Sequence, residues 1–211
     1  DKVLSISSAV TVPARRIAQQ SKSDNHAERV NRQYKISAKN LESVFVNNPI
    51  SSFEEAANII ISSKRKYIAA SRGNTSLSNY FLLYLKQMLP HVVMTNTSAI
   101  SPIDHMCSIT KDDCLVIFSF PRYSSIDEIT AQMAYDAGAK IIVITDKPSA
   151  LLAPYATCLF TVSVDSNAFF NSFIGPQFIA EALLEIISQK ARGVEKRLKR
   201  IDKYLGKLGN Y

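Results

Sequence analysis

Cysteine is scarce in this 211-residue chain: Cys107, Cys114 and Cys158 are odd in number and widely spaced. No Cys-x-x-Cys motif and no pair of histidines at ligand spacing occurs, which speaks against a zinc site. Two of the thiols sit in or beside apolar runs. Buried free thiols in a reducing, cytoplasmic compartment are therefore expected. No apolar run of about 18 residues or more is present, which excludes a spanning helix. The opening residues Asp1-Lys2-Val3-Leu4-Ser5 lack the basic start and apolar core of a signal peptide. Histidine is limited to His26, His91 and His105, so candidates for acid–base chemistry are few.

What is present is an ordinary core and an uneven charge. Apolar residues make up 46% of the chain, enough for one globular α/β domain with appendages. Residues 1–40 carry eight Lys or Arg against three acids, and residues 190–211 carry eight against two. Residues 41–189 carry nine against thirteen, so a mildly acidic body lies between basic ends. Such ends suit a polyanion, or they simply solvate exposed helices.

Short runs rich in Val and Ile predict strands buried on both faces at Tyr67–Ala70, Val92–Thr95, Leu115–Phe120, Ile141–Thr145 and Cys158–Val164. Helical stretches alternate with them over Ser76–Met88, Ile100–Ile109, Ser125–Ala137 and Ala150–Tyr155, and Gly138 suits the stop of the third. This alternation predicts an α/β fold, a three-layer sandwich around a five-stranded parallel sheet of order 2-1-3-4-5. A long helix is expected over Phe169–Lys190 with Pro176 near its first turns. Two helices are expected before the first strand, over Ala38–Val46 and from a Ser52-x-x-Glu55 capping box, with Asn47-Asn48-Pro49 breaking them. Beyond Gly193, the apolar seam Leu198, Ile201, Leu205 and Leu208 marks a last helix, packed on its own domain or on a partner.

Two turns carry the functional signal. Ser71-Arg72-Gly73-Asn74-Thr75-Ser76 follows the first strand, and Ser119-Phe120-Pro121-Arg122-Tyr123-Ser124 follows the third. Hydroxyl-rich strand-to-helix turns suit a phosphate, because backbone N–H groups and the helix dipole converge there. In a sheet of order 2-1-3-4-5 the ligand crevice lies between strands one and three, where both turns emerge.

These residues resemble the SIS (sugar isomerase) domain, and more narrowly the sugar-sensing half of RpiR-type transcriptional regulators. Arg72-Gly73-Asn74-Thr75 is similar to their first loop and Ser119–Ser124 to their second. Thr145-Asp146-Lys147-Pro148-Ser149 fits the loop after strand four, and Phe169-Phe170-Asn171-Ser172 the start of the last domain helix. The resemblance implies phosphate contacts from Thr75, Ser119 and Ser124, with Asn74 and Ser76 at the rim and Arg122 and Tyr123 beside them. Ser71 stands where the family has glycine, Pro121 where the wider family has serine, Arg122 where it has glycine, and Ile126 where it often has glutamate.

The resemblance implies a phosphosugar-sensing effector domain that modulates DNA binding, with residues 1–37 a basic linker or helix-turn-helix remnant, 38–191 the SIS domain and 192–211 a C-terminal helix. Val10–Ala18 resembles the turn and start of a recognition helix, whose Arg15 and Arg16 would face DNA, and Ser21–Asn25 reads as flexible polar chain. Operator DNA, reached through a domain largely absent from this chain, and a second copy in a homodimer are the implied partners, with no cofactor, metal or membrane. Isomerisation needs a general base and an acid near the sugar. Glu181 and Glu185 are the best base candidates, but no pair is placed with them, so binding without turnover is expected. The alternatives are a stand-alone phosphosugar isomerase and a carbohydrate-binding regulator of another protein.

Overall fold

The computed structural model describes residues 13–18, 25–96 and 100–209. Five strands, β1 (Lys66–Ala70), β2 (Val92–Met94), β3 (Cys114–Phe118), β4 (Lys140–Thr145) and β5 (Cys158–Thr161), form one parallel sheet of order β2-β1-β3-β4-β5. This is the order expected from the alternating pattern. Every residue of β1 and β3 is buried, as a strand covered on both faces requires.

The two-residue period of the strands sorts the core into two layers. Ile68, Ala70, Val116, Phe118, Ile142 and Ile144 face one side. There they meet α3 (Ile50–Ser62), α4 (Thr75–Met88) and α7 (Ile174–Lys190) through residues such as Phe53, Ile60, Phe81, Leu85 and Leu183. Tyr67, Ala69, Leu115, Ile117, Ile141 and Val143 face the other side. They meet Met106 of α5 (Pro102–Met106) and Ala131 and Ala134 of α6 (Ser125–Asp136). Each large side chain so buried contributes about 1.5–3 kcal/mol. At the end of α6, Gly138 takes φ +72° while the N–H of Ala139 reaches back to Ala134, which closes the helix as anticipated.

Several boundaries differ from expectation. The first long helix, α2 (His26–Asn47), begins well before Ala38. Asn25 caps it reciprocally with Glu28, so Asn25 belongs to a helix start rather than to flexible chain; Ser21–Asp24 lie outside the described residues. The exposed, polar first half of α2 carries no apolar stripe to betray it. Helix α3 starts at Ile50, not Ser52. Pro49, at φ −67°, sets the first turn and its carbonyl accepts from the Ser52 N–H, so the capping box does not form. Helix α5 is confined to Pro102–Met106, and only a single 3₁₀ turn, Ala153–Tyr155, stands where a short helix was expected. Helix α7 begins at Ile174 rather than Phe169, because Phe169–Phe173 turns away as a loop whose Ser172 N–H bonds Val164 O.

Asparagines fasten α2 to the sheet edge. Asn48 Nδ2 donates to Thr161 O at 2.9 Å and its Oδ1 accepts from Thr161 N at 2.9 Å, while Asn40 Nδ2 donates to Asp165 O at 2.7 Å. The last helix, α8 (Val194–Gly206), follows Gly193 at φ +79°. Val194 and Leu198 pack onto the core, and the Arg197 guanidinium donates to the carbonyls of Lys86 and Leu89, capping the end of α4. Cys114 and Cys158 are buried free thiols as anticipated, whereas Cys107 is exposed. No helix among the described residues is long and apolar enough to cross a membrane.

Candidate functional site

Ala70 and Phe118 pair across β1 and β3, so Ser71 and Ser119 leave the sheet side by side. The first turn is tight. Arg72 adopts φ +59°, a left-handed conformation that costs a non-glycine residue about 1–3 kcal/mol and is characteristic of functional turns. A 3₁₀ turn over Arg72–Asn74 then runs into α4. Thr75 Oγ1 donates to Arg72 O at 2.7 Å and Ser76 Oγ to Gly73 O at 3.1 Å, so both hydroxyls brace the turn. Asn74 is buried at its base.

The second turn is anchored by Ser119, which is 1% exposed. Its N–H bonds Ile144 O at 3.0 Å and its carbonyl accepts from Thr145 Oγ1 at 2.7 Å. Its hydroxyl has no partner among the described residues, which is costly for a buried polar atom. Ser124 caps α6 with its backbone carbonyl, not with its side chain, and its half-buried hydroxyl takes no partner among the described residues. The Tyr123 hydroxyl donates to Asp146 Oδ1; burial, first, and that carboxylate hold the phenol well above its ordinary pKa.

Asp127 joins the two turns, and sequence reasoning assigned it no role in the site. It is 2% exposed and accepts a 2.5 Å hydrogen bond from Ser71 Oγ, while its second oxygen has no partner among the described residues. Burial pushes its carboxyl up to about 6, against the opposing pull of the Ser71 donor. The signal was available: an acid in the first turn of α6, three residues after Ser124 of the second turn.

Beside these turns lies a cleft of about 160 Å³. Arg72, Asn74 and Arg122 line it from the two turns, Phe169, Phe170 and Asn171 from the loop before α7, and Arg16 from α1 (Pro13–Ala18). Three guanidiniums and no carboxylate stand among its described lining residues. Arg72 and Arg122 make no ion pair and no side-chain hydrogen bond among the described residues, so their charge is available to an anion. Of the seven expected contacts, Asn74 and Arg122 reach this cleft. Thr75, Ser76 and Tyr123 have their hydroxyls engaged elsewhere, and Ser119 lies buried at the end of β3. Glu181 and Glu185 line a separate groove between α4 and α7, with Tyr80, Tyr84 and Leu198. Arg16 turns toward Asn171, with Nη1 3.0 Å from Oδ1; Val10–Val12 of the recognition-helix resemblance lie outside the described residues.

No curated protein matches the sequence. Solved structures match it well. One is the sugar isomerase domain of the RpiR transcription factor from Sphaerobacter thermophilus, at TM-score 0.77 and 14% identity, covering 82% of this chain and 98% of that one. Another is the Vibrio vulnificus NanR protein complexed with ManNAc-6P, at TM-score 0.73 and 10% identity, covering 93% of this chain and 74% of that one. A third is phosphoheptose isomerase GmhA from Neisseria gonorrhoeae, at TM-score 0.65 and 16% identity, covering 77% and 99%. At these identities the likeness is one of fold, shared by regulators and isomerases alike. A family model of the SIS domain matches residues 59–186, from the end of α3 through most of α7. On that match and on this sheet, the chain belongs to the SIS domain family.

Proposed function

We propose that this chain is the phosphosugar-sensing effector part of an RpiR-type transcriptional regulator. The observation that carries the reading is the cleft at the ends of β1 and β3: three guanidiniums, two asparagines and no carboxylate among its described lining residues, beside a buried hydroxyl at Ser119 that lacks a partner. A phosphate fits such a site, since guanidinium and asparagine groups donate to its oxygens and strand-end turns present N–H groups. Ser119 and Ser124 offer hydroxyls to it, and Asn74, Thr75, Ser76, Arg122 and Tyr123 form its surroundings, the Thr75 hydroxyl bracing the first turn. NanR, a structure of the same fold, is described in complex with ManNAc-6P.

In this reading residues 38–191 bind the sugar phosphate, with α2 leading the chain into that domain. Residues 1–37 are a basic linker or the remnant of a helix-turn-helix domain, and 192–211 form the C-terminal helix. The protein works in the cytoplasm as a homodimer. Occupancy of the cleft alters how the attached domains fit operator DNA, a coupling between two sites on one molecule. Turnover is not part of this reading, because the carboxylates of Glu181 and Glu185 sit in another groove.

A second reading, a phosphosugar isomerase, draws on Asp127. A buried carboxyl raised to about 6 and bonded to Ser71 of the first turn has the acidity of a general base. Calorimetric titration with pentose and hexose phosphates, followed by NMR of the same mixtures over hours, decides between them. Saturable binding without interconversion supports the sensor. Interconversion abolished by Asp127→Asn establishes the isomerase.

A further inference from the structure

We infer that Phe169 and Phe170 form an aromatic platform at the cleft, and that the ligand it selects is a sugar phosphate bound as its closed ring, one C–H face of the ring laid on a phenyl. The inference rests on the phosphate reading above and adds to it the shape of the body that the phosphate carries. Both side chains line the cleft together with Arg72, Asn74 and Arg122. Phe169 is 48% exposed and Phe170 57%. Their rings meet edge to face, with centroids 5.3 Å apart and planes at 82°. In that arrangement one ring covers at most one face of the other, so flat apolar surface stays open. Single exposed apolar residues are ordinary, whereas an adjoining pair rimmed by polar groups marks a binding groove.

The loop that carries the pair is fastened on both sides of it. The Asn167 N–H donates to Gln33 Oε1 of α2 at 2.8 Å, and the Ser172 N–H donates to Val164 O at 3.0 Å. Asn171 Nδ2 donates to the carbonyl of Pro121, inside the turn after β3. Phe173 turns inward onto the buried Phe120, with ring centroids 6.1 Å apart, and packs against the domain core. Of the three phenylalanines between residues 169 and 173, one therefore anchors the loop and two are presented to the cleft. An apolar surface held in place in advance loses little conformational freedom when a ligand covers it.

The chemistry of the platform narrows what covers it. Inorganic phosphate has no face to lay on a phenyl. An open-chain sugar alcohol turns about each of its carbon–carbon bonds and presents hydroxyls on every side. A closed pyranose gathers C–H groups on one face and sets its hydroxyls around the rim. The slightly positive C–H hydrogens then meet the negative face of the aromatic ring. The rim hydroxyls stay turned to the polar side of the same cleft, the usual division of labour in a small-molecule site. Ring closure is thus the property that Phe169 and Phe170 read, while the strand-end turns hold the phosphate.

The test uses the full 211-residue chain and calorimetry. The probes are inorganic phosphate, the 6-phosphates of glucose, mannose and galactose, and the alditol 6-phosphate of each, which cannot close a ring. At least one closed sugar should bind about 10-fold or more tightly than its own alditol. Phe169→Ala and Phe170→Ala, checked for folding by circular dichroism, should each weaken that sugar by about 3- to 10-fold, the scale of one lost aromatic contact. Inorganic phosphate should change by less than about 2-fold in the same variants. The chain has no tryptophan, so Phe170→Trp places its sole indole on the platform. That variant should keep its affinity for the sugar, and its fluorescence should shift with the sugar and not with inorganic phosphate. Equal binding of sugars and alditols overturns the platform and leaves the phosphate site standing. A preference for the closed ring that survives both alanine variants, with an unresponsive indole, also overturns the role of the two phenylalanines. Absence of binding by every probe, inorganic phosphate included, overturns the phosphate reading and the platform with it.

Discussion

Ser71 Oγ donates to Asp127 Oδ1 at 2.5 Å, which ties the turn after β1 to the first turn of α6. The pair occupies the position at which the two functional turns diverge. It gives Asp127 its only side-chain partner among the described residues, since the second carboxylate oxygen is buried without one.

A pH dependence of stability follows. Burial raises the Asp127 carboxyl from 3.8 to about 6. The folded state therefore holds this proton more tightly than the unfolded chain. Its contribution is complete below about pH 4 and is lost as pH rises through about 6, by on the order of 2–3 kcal/mol. Urea denaturation between pH 4 and 7 should show this decline in the wild type, superimposed on the other carboxylates, and a smaller decline in Asp127→Asn. Identical pH profiles would show that Asp127 is not the titrating group.

Ser119 should separate stability from binding. Its hydroxyl is buried with no partner among the described residues, so Ser119→Ala removes a desolvated group without breaking a bond they make. Thermal unfolding without ligand should leave the variant as stable as the wild type or up to about 1 kcal/mol more stable. Phosphosugar affinity should fall by about 1–3 kcal/mol, the range of a lost bond to a charged group. A variant that is destabilised but binds normally would assign Ser119 to the core alone.

Much of this was legible in the sequence. The strands were, because burial on both faces writes continuous runs such as Cys114–Phe118, and the sheet order followed from their alternation with helices. The position of the two turns was legible for the same reason. What a motif does not convey is where its hydroxyls point: Thr75 and Ser76 carry the expected residue types but bond to their own turn. Asp127 and Asn171 were assigned no site role because each becomes part of the site through one long-range bond, 56 and 50 residues away in sequence. The first half of α2 was missed because an exposed helix needs no apolar period.

Gly175 allows α7 to lie close to the end of the sheet. A Cβ at this position would stand 2.4 Å from Val162 Cγ2 and 3.1 Å from the Asn40 carbonyl, both on buried neighbours with little room to yield. Gly175→Ala should cost about 1–3 kcal/mol through overpacking, despite alanine's better helix propensity. Because the loop before α7 lines the cleft, phosphate affinity should weaken as well. Denaturant midpoints and calorimetry on the same preparation check both effects. An unchanged midpoint would mean that α2 and α7 separate without strain.

The last prediction concerns assembly. The seam of α8 divides in two: Leu198 packs onto the domain core, while Ile201 and Leu205 are half-buried, and Tyr204 and Leu208 are 54% and 70% exposed. Ile201, Tyr204, Leu205 and Leu208 line a shallow surface together, an apolar area on an otherwise basic helix. Such a face is best covered by the same face of a second copy, in a two-fold arrangement that pairs seam with seam and leaves Lys199 and Lys203 in solvent. Sedimentation of the wild type should give a dimer at micromolar concentration. Tyr204→Glu with Leu208→Glu should give a folded monomer, since neither residue supports the core. Leu198→Ala should instead lower stability by about 1–2 kcal/mol, less than a fully buried leucine, while leaving the dimer intact at temperatures where the fold holds. A wild-type monomer refutes the dimer, and a Tyr204→Glu, Leu208→Glu variant that remains dimeric places the two-fold on another surface.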